Sequence, residues 1–353
     1  MYLISNVHDL GILLMTARSK PKVDDVAKLA GVSTATVSRC LNTPDRVSEE
    51  TRKKVEVAVE ELGYTPNFGG RYLASNSSKT MGAIIPTMEN AIFARGIQAF
   101  QEVLANSGIT LLISTSGYDP EREFEHIQTL ISQGAEGLLL IGAARPKKTY
   151  EFLERRNIPH VIAWNHRWDR KHIYVGFDNY FAMQELTNTV LRMGHRHIAI
   201  IAGPTTYNDR IEDRISGAQA AIEKIDETSL IVKFCPTNYS AIQAGQAFEE
   251  LMELDHHRPS VIMCSNDVLA VGAIMQAKAM NMNVPDDISI TGFDDIEIAE
   301  IVAPALTTVH VPHRRMGQAA AQLLLNIRAG KLDQKSIKLG TNVVLRNSLR
   351  HKT

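Results

Sequence analysis

Three cysteines in 353 residues, Cys40, Cys235 and Cys264, are few, scattered and odd in number. They exclude a disulfide framework and a cysteine-built metal cluster, and they fit a reduced cytoplasmic protein. No stretch approaches the ~18 consecutive apolar residues of a membrane-spanning helix. The first twenty residues lack a basic n-region, and their apolar run GILLM is too short for a secretory signal. An excess of one charge is missing too. The net charge is −1, and residues 1–80 carry 11 Lys and Arg against 9 Asp and Glu. A nucleic-acid partner would have to be held by a few well-placed cations and by dimerisation, not by a basic tail. Catalytic signatures are absent as well: there is no GxxxxGK[ST] loop, no HExxH and no GxSxG. His195 and His197 flank Arg196 ahead of a strand and read as a turn, and His256–His257 has no supporting ligand spacing. Asp294–Asp295 suggests a glycosidase pair only formally, because adjacent residues on an extended segment point in opposite directions. The chain reads as a non-enzyme that requires no cofactor.

What is present begins at residues 22–42, KVDDVAKLAGVSTATVSRCLN. A first helix over 24–30 would place Val26, Ala27, Leu29 and Ala30 on an apolar face. Gly31 permits the positive φ of a tight turn, and Ser33 is a good N-cap for a second helix. Val37 and Leu41 would pack that helix back, with Cys40 beside Leu41, leaving Thr34, Ala35, Ser38 and Arg39 on the opposite face. This is the pattern of a helix-turn-helix, whose second helix meets base edges with its N-terminal residues. A plain surface hairpin fits the segment taken alone. The following SEETRKKVEVAVEELG argues against it, with Ser48 as cap, Glu49 and Glu50 in the first turn, a Val55/Val59/Leu62 stripe and Gly63 as stop. Three short helices around one seam make a headpiece of about 45 residues.

From Thr80 onward, short apolar runs alternate with amphipathic helices such as 95–107 and 121–133. MGAIIP, ITLLIS, EGLLLIG and HVIAW form one series of strands; IYVGF, HIAIIAG, SLIVKF, SVIMCS and ISITGF form a second. Near-continuous apolar strands alternating with helices indicate an α/β fold of doubly wound parallel sheets, and their number suggests two similar lobes. Ligands of such sheets bind beyond the carboxyl ends of the strands. That rule selects Asn90, Phe93, Ser114, Thr115, Trp164, Asn165, Arg210, Arg214, Tyr239, Asn266, Asp267, Asp294 and Asp295. Asn266 and the Asp294–Asp295 pair also fit simple helix N-caps. Trp164 fits either core packing or stacking on a flat ligand face.

The runs DVAKLAGVSTATVSRCLN, VSEETRKKVEVAVEELGYTPN, CSNDVLAVGA, ISITGFDD and PALTTV, in this order and spacing, resemble the LacI/GalR family of bacterial transcription repressors. The resemblance extends from Lys22 to about Arg346. It implies a helix-turn-helix headpiece over 21–66, a hinge over 67–80 and a bilobal, periplasmic-binding-protein-like effector and dimerisation domain over 81–353. Crossovers between lobes are expected near 165–172, 292–296 and 309–313. Residues 1–14 extend beyond the family's usual start, Met15 reads as a more natural beginning, and 1–20 is expected to be a disordered extension.

The implied protein is a cytoplasmic homodimeric repressor that binds a near-palindromic double-stranded DNA operator and needs no membrane. Thr34, Ala35 and Arg39 are expected to read the major groove, with Arg39 suited to guanine. Ser33, Thr36, Ser38 and Asn42 would hold phosphates or caps. Leu73 occupies the position that kinks the operator from the minor groove, with Arg71 beside it. Arg214, Asn266 and Asp294 fall where effector-contacting residues sit, and their chemistry suits a polyhydroxyl ligand, a sugar or sugar acid. Trp164 stands where many members carry Asp. No terminal leucine heptad follows Arg346, so a tetramer built through one is not expected. A sugar-binding transport protein shares the core fold, but the helix-turn-helix and the missing signal peptide speak against it. An activator or dual regulator remains open, because that depends on operator position.

Gly69–Gly70 departs from the helix-forming residues usual in the hinge. Each glycine costs helix stability of roughly 0.5–1 kcal/mol relative to alanine, which raises the ordering cost of operator binding. Replacing both by alanine should tighten operator binding at least severalfold. Titration of operator DNA against both proteins tests this; equal or weaker binding by a folded variant would rule it out.

Overall fold

The computed structural model describes residues 21–65, 77–89, 91–167, 171–226, 228–234, 239–254, 258–331 and 335–352. The extension 1–20, Gly69–Gly70, Arg71, Leu73, Asn90, Cys235 and His256–His257 lie outside the described residues. The chain divides into two units, residues 1–78 and 79–353.

In the first unit, α1 (Val23–Ala30), α2 (Thr34–Asn42) and α3 (Glu49–Leu62) follow the expected boundaries closely, with a short 3₁₀ turn at Pro44–Arg46. Gly31 has φ +66, the left-handed value the turn requires. Ser33 and Ser48 accept hydrogen bonds from the amides of Thr36 and Thr51. The core consists of Val26, Ala27, Val37, Cys40, Val55 and Ala58. Two expectations need correction. Leu29 is 47% exposed, because at ~100° per residue it falls beyond the edge of the stripe formed by Val23, Val26, Ala27 and Ala30. On α2 it is Cys40 that is buried, while Leu41 is only half-buried.

The second unit contains all nine anticipated strands. β1 (Thr80–Ile85), β2 (Thr110–Thr115), β3 (Leu138–Ile141), β4 (His160–Ala163) and β5 (Tyr174–Gly176) are interleaved with α4 (Ala91–Asn106), α5 (Pro120–Ser132) and α6 (Lys147–Arg155). Then come α7 (Asn179–Arg192), β6 (His197–Ala202), α8 (Asp209–Ile222), β7 (Ser229–Phe234), α9 (Ala241–Met252), β8 (Val261–Cys264), α10 (Asp267–Ala279) and β9 (Ser289–Thr291). The chain closes with α11 (Ile298–Ile301), β10 (Thr308–His310), α12 (His313–Arg328), β11 (Ile337–Lys338) and β12 (Asn342–Val344).

The strands form two parallel sheets, ordered β11-β5-β4-β3-β1-β2 and β7-β6-β8-β9, with β10 and β12 paired antiparallel beside the second. The sheets are covered on both faces, as parallel sheets require. In β1, Met81, Ala83 and Ile85 enter the main core while Ile84 joins a separate cluster with Ile127, Leu138 and Leu140.

The lobe assignment differs from expectation in two places. β5 belongs to the first sheet, where Ile162 pairs with Tyr174, so the first crossover lies at 177–178 and not at 165–172. Around 292–296 the chain stays in the second lobe, held by parallel bridges Thr291–Thr307 and Asp294–His310. The second crossover lies between β10 and α12, as anticipated, and the third at 339–341 leads from β11 to β12. Both misplacements have one cause: strands of two or three residues carry too little periodicity to reveal their sheet. No described helix is long and apolar enough to cross a membrane.

Helices α4 and α12 pack across the first lobe at backbone distance. A Cβ on Gly317 would lie 1.9 Å from the Gly96 carbonyl oxygen, and one on Gly96 would lie 2.5 Å from the Trp164 ring. Gly317→Ala must therefore separate two packed helices, at a cost of about 1–3 kcal/mol. Calorimetry should show a Tm lower by several degrees; an unchanged Tm would contradict this packing.

Candidate functional site

Two regions concentrate exposed or unpartnered polar groups. The first is the outward face of α2. Because Val37 and Cys40 hold the helix to the headpiece core, Thr34, Ala35, Arg39 and Asn42 are exposed and Ser38 is half-buried. The Ser33 and Thr36 hydroxyls bond each other at 2.9 Å, and Asn42 Nδ2 donates to the Ser38 carbonyl at 2.9 Å. Ser33, Thr36 and Asn42 thus stiffen both ends of the helix, while Thr34, Ala35 and Arg39 keep their side chains free toward solvent. The short, rigid helix presents one long cation and two small groups, a set that can meet base edges.

The second region is the seam between the lobes, at the carboxyl ends of both sheets. Phe93, Trp164, Arg210, Arg214, Tyr239 and Asp294 all line one enclosed space there, together with Ile92, Ile211 and Tyr118. The free volume is ≈ 10 Å³, about the room of one water. Arg214 is buried, and Nε donates to Asn179 Oδ1 at 2.9 Å and Nη1 to the Ser265 carbonyl at 2.5 Å. Its Nη2 stands 3.5 Å from Asp294 Oδ1, and its guanidinium lies 3.6 Å over the Phe293 ring. Asn266 does cap α10, accepting from the Leu269 amide at 2.8 Å. Its buried Nδ2 nevertheless has no hydrogen-bond partner, and neither do the Asp294 carboxylate oxygens and Trp164 Nε1. Trp164 also packs edge-on against Phe93 at 5.5 Å, so it is at once a core ring and a lining group with an idle donor.

Burial pushes the Asp294 carboxyl up to about 7, and Arg214 opposes this only in part. Burial likewise pulls His313 down to about 4, and His313 Nε2 faces the Asp294 carbonyl at 3.2 Å. Asp295 turns away to Arg346 and His310, each at 2.8 Å. The two neighbouring carboxylates therefore serve different partners and do not form a working pair. Among the described residues no group of His, Cys, Asp and Glu could hold a metal ion.

Ser114 is not brought to this space. It lies inside β2, one residue short of its end, and its hydroxyl is taken by His126 Nδ1 at 2.9 Å. The polar group that follows that strand toward the seam is Tyr118, which sequence reasoning missed. The same carboxyl-end rule carried three residues beyond Thr115 would have found it. Ser265 and His313 were missed as well: each carries a buried polar atom without a partner, but nothing in their sequence neighbourhood distinguishes them from capping residues.

Comparison with known proteins gives two matches. Residues 22–67 match bacterial regulatory proteins of the lacI family, and residues 187–349 match the periplasmic binding protein-like domain. Over 326 residues the chain is 30% identical to the HTH-type transcriptional regulator GntR of Escherichia coli (strain K12), covering 92% of this chain and 97% of that one. Over 329 residues it is 32% identical to the HTH-type transcriptional repressor CytR of Escherichia coli (strain K12), covering 92% and 95%. A crystal structure of the lac repressor dimer bound to operator and the anti-inducer ONPF aligns with TM-score 0.79 at 25% identity, covering 94% of this chain and 99% of that one.

The raised Asp294 carboxyl has a consequence for stability. An unfolded aspartate ionises near pH 4, so between about pH 4 and 7 the folded chain holds a proton that the unfolded chain has lost. Folding is then linked to proton uptake, and this contribution to stability falls as pH rises through that window. Asp294→Asn lacks it. The Tm of Asp294→Asn relative to wild type should therefore climb between pH 4 and 7.5; a pH-independent offset would sink the assignment.

Proposed function

The chain belongs to the lacI family of bacterial regulatory proteins, and we propose that it is a cytoplasmic, ligand-responsive repressor that binds a near-palindromic operator as a homodimer. The observation that carries this reading is the face of α2, where Thr34, Ala35 and Arg39 stay exposed while every large apolar residue of the helix turns inward. In this reading α2 enters the major groove, and Arg39 donates two hydrogen bonds to a guanine. Thr34 or Ala35 meets a thymine methyl, and Ser33, Thr36, Ser38 and Asn42 position the helix on phosphates. Arg71 and Leu73 act at the minor groove between half-sites.

The inter-lobe seam is the effector site. Asp294, Arg214 and the idle Asn266 amide suit a ligand with several hydroxyls, and Trp164 and Phe93 give it an apolar wall. Tyr239 and Arg210 complete the lining, and Asn90 is assigned with them from its place after β1. A ligand that binds one relative position of the lobes better than another changes operator affinity by that difference and no more.

Gel retardation at low salt, using DNA from around the protein's own gene, tests the proposal. Wild type should bind a discrete site. Arg39→Ala should lose roughly 10- to 100-fold in affinity for it, the worth of one bidentate base contact, while salt-dependent non-specific binding persists. Failure of wild type to retard any such fragment would favour a transport-type sugar-binding protein instead.

A further inference from the structure

Arg210 is buried to 6% exposure. Among the described residues its guanidinium makes one polar contact, Nη1 to Oδ1 of the adjacent Asp209 at 3.4 Å. That carboxylate is largely committed elsewhere. Asp209 Oδ2 accepts from the Ala143 amide at 2.8 Å and from Asn165 Nδ2 at 2.6 Å. A guanidinium offers five N–H donors, and a buried charge with so little pairing is retained at a cost to stability.

The position of the group is specific. Arg210 belongs to the second lobe, yet its Nη1 lies where a Cβ on Gly142 of the first lobe would stand 1.9 Å away. Only a glycine at 142 lets the guanidinium lie across the seam. There it borders two spaces: one shared with Phe93, Trp164 and Asp294, the other with Ser116, Tyr118 and Tyr207. In the first, Asp294 already faces Arg214. In the second, Glu123 is committed to Arg145 at 2.5 Å. Beyond its single long contact with Asp209, the guanidinium has N–H donors left facing the ligand space.

We infer that the effector carries an anionic oxygen group, a carboxylate or a phosphate, which docks on Arg210 while its hydroxyls meet Asp294, Arg214 and Asn266. This rests on the seam being the effector site, and it makes Arg210 the residue that separates acidic ligands from neutral ones. A charge-assisted hydrogen bond is worth about 2 kcal/mol, which converts to about 30-fold in affinity.

The test uses the full chain, calorimetric titration and thermal shift, with matched probes: D-gluconate against D-glucitol, and D-glucose 6-phosphate against D-glucose. The expected result is that an anionic member binds at least about 30-fold tighter than its neutral counterpart. Arg210→Met should abolish that margin and Arg210→Lys restore part of it. Which anionic probe binds distinguishes carboxylate from phosphate.

Three results would overturn the inference: no anionic probe binding, neutral probes binding equally well, or Arg210→Met binding the anion as wild type does. Neutral binding lost in Asp294→Asn but kept in Arg210→Met would remove Arg210 while leaving the effector site in place. Binding indifferent to both substitutions would remove the site as well.

Discussion

The buried pair of Arg214 and Asp294, with charged atoms 3.5 Å apart, is the constraint around which the second unit is arranged. Neither residue is at ease there. Arg214 needs Asn179, the Ser265 carbonyl and the face of Phe293 to replace the water it has lost. Asp294 finds no hydrogen bond for either carboxylate oxygen and holds its backbone at φ +107. Strain of this kind persists only where the surroundings over-determine it. Tyr118, Trp164 and Tyr239 line the same space and also sit at positive φ. The strained positions thus collect where the two sheets present their carboxyl ends to each other.

Topology explains why the strain can be concentrated there. Three short crossovers join the lobes, and each lobe has a sheet buried on both faces. The lobes are therefore stiff, and their relation is set by contacts across the seam. Asp209 bonds the Ala143 amide and Asn165, Arg167 reaches Asp213 at 3.0 Å, and His313 meets the Asp294 carbonyl. Aromatic contacts join these polar ones, Tyr118 against Tyr239 and Phe177 against Phe293, and the apolar core runs through both lobes.

Much of this was legible in the sequence because it follows from periodicity. The three headpiece helices are long enough to declare a repeat of 3.6, Ser33 and Ser48 announce the starts of two of them, and the core strands show as apolar runs between helices. The errors fall where that signal is short. β5 was assigned to the wrong series because three residues cannot announce a partner strand, and the crossover moved with it. Leu29 was placed inward because an eight-residue helix leaves the centre of its stripe uncertain by one position. Within the seam, the carboxyl-end rule located Phe93, Trp164, Arg214, Tyr239 and Asp294, yet it chose Ser114 over Tyr118. The rule says where strands stop, and a boundary shifted by a few residues exchanges a residue inside the sheet for one beyond it. The idle Asn266 amide was beyond any sequence argument, since a cap and a ligand contact call for the same side chain.

The two units differ in how they hold their polar groups. On α2 the polar side chains are exposed and hydrated, so contact with a charged polymer would replace water at little structural cost. In the seam they are dehydrated, and several have no partner at all. A group buried without a partner lowers the stability of the state that buries it, and any ligand that satisfies it returns that free energy only in that state. In the proposed effector site, the atoms of Asp294, Asn266 and Trp164 that lack a hydrogen bond therefore do more than offer contacts to hydroxyl groups. Under the proposed function they would make the energy of the seam depend on whether it is filled, which is what a ligand-responsive regulator requires.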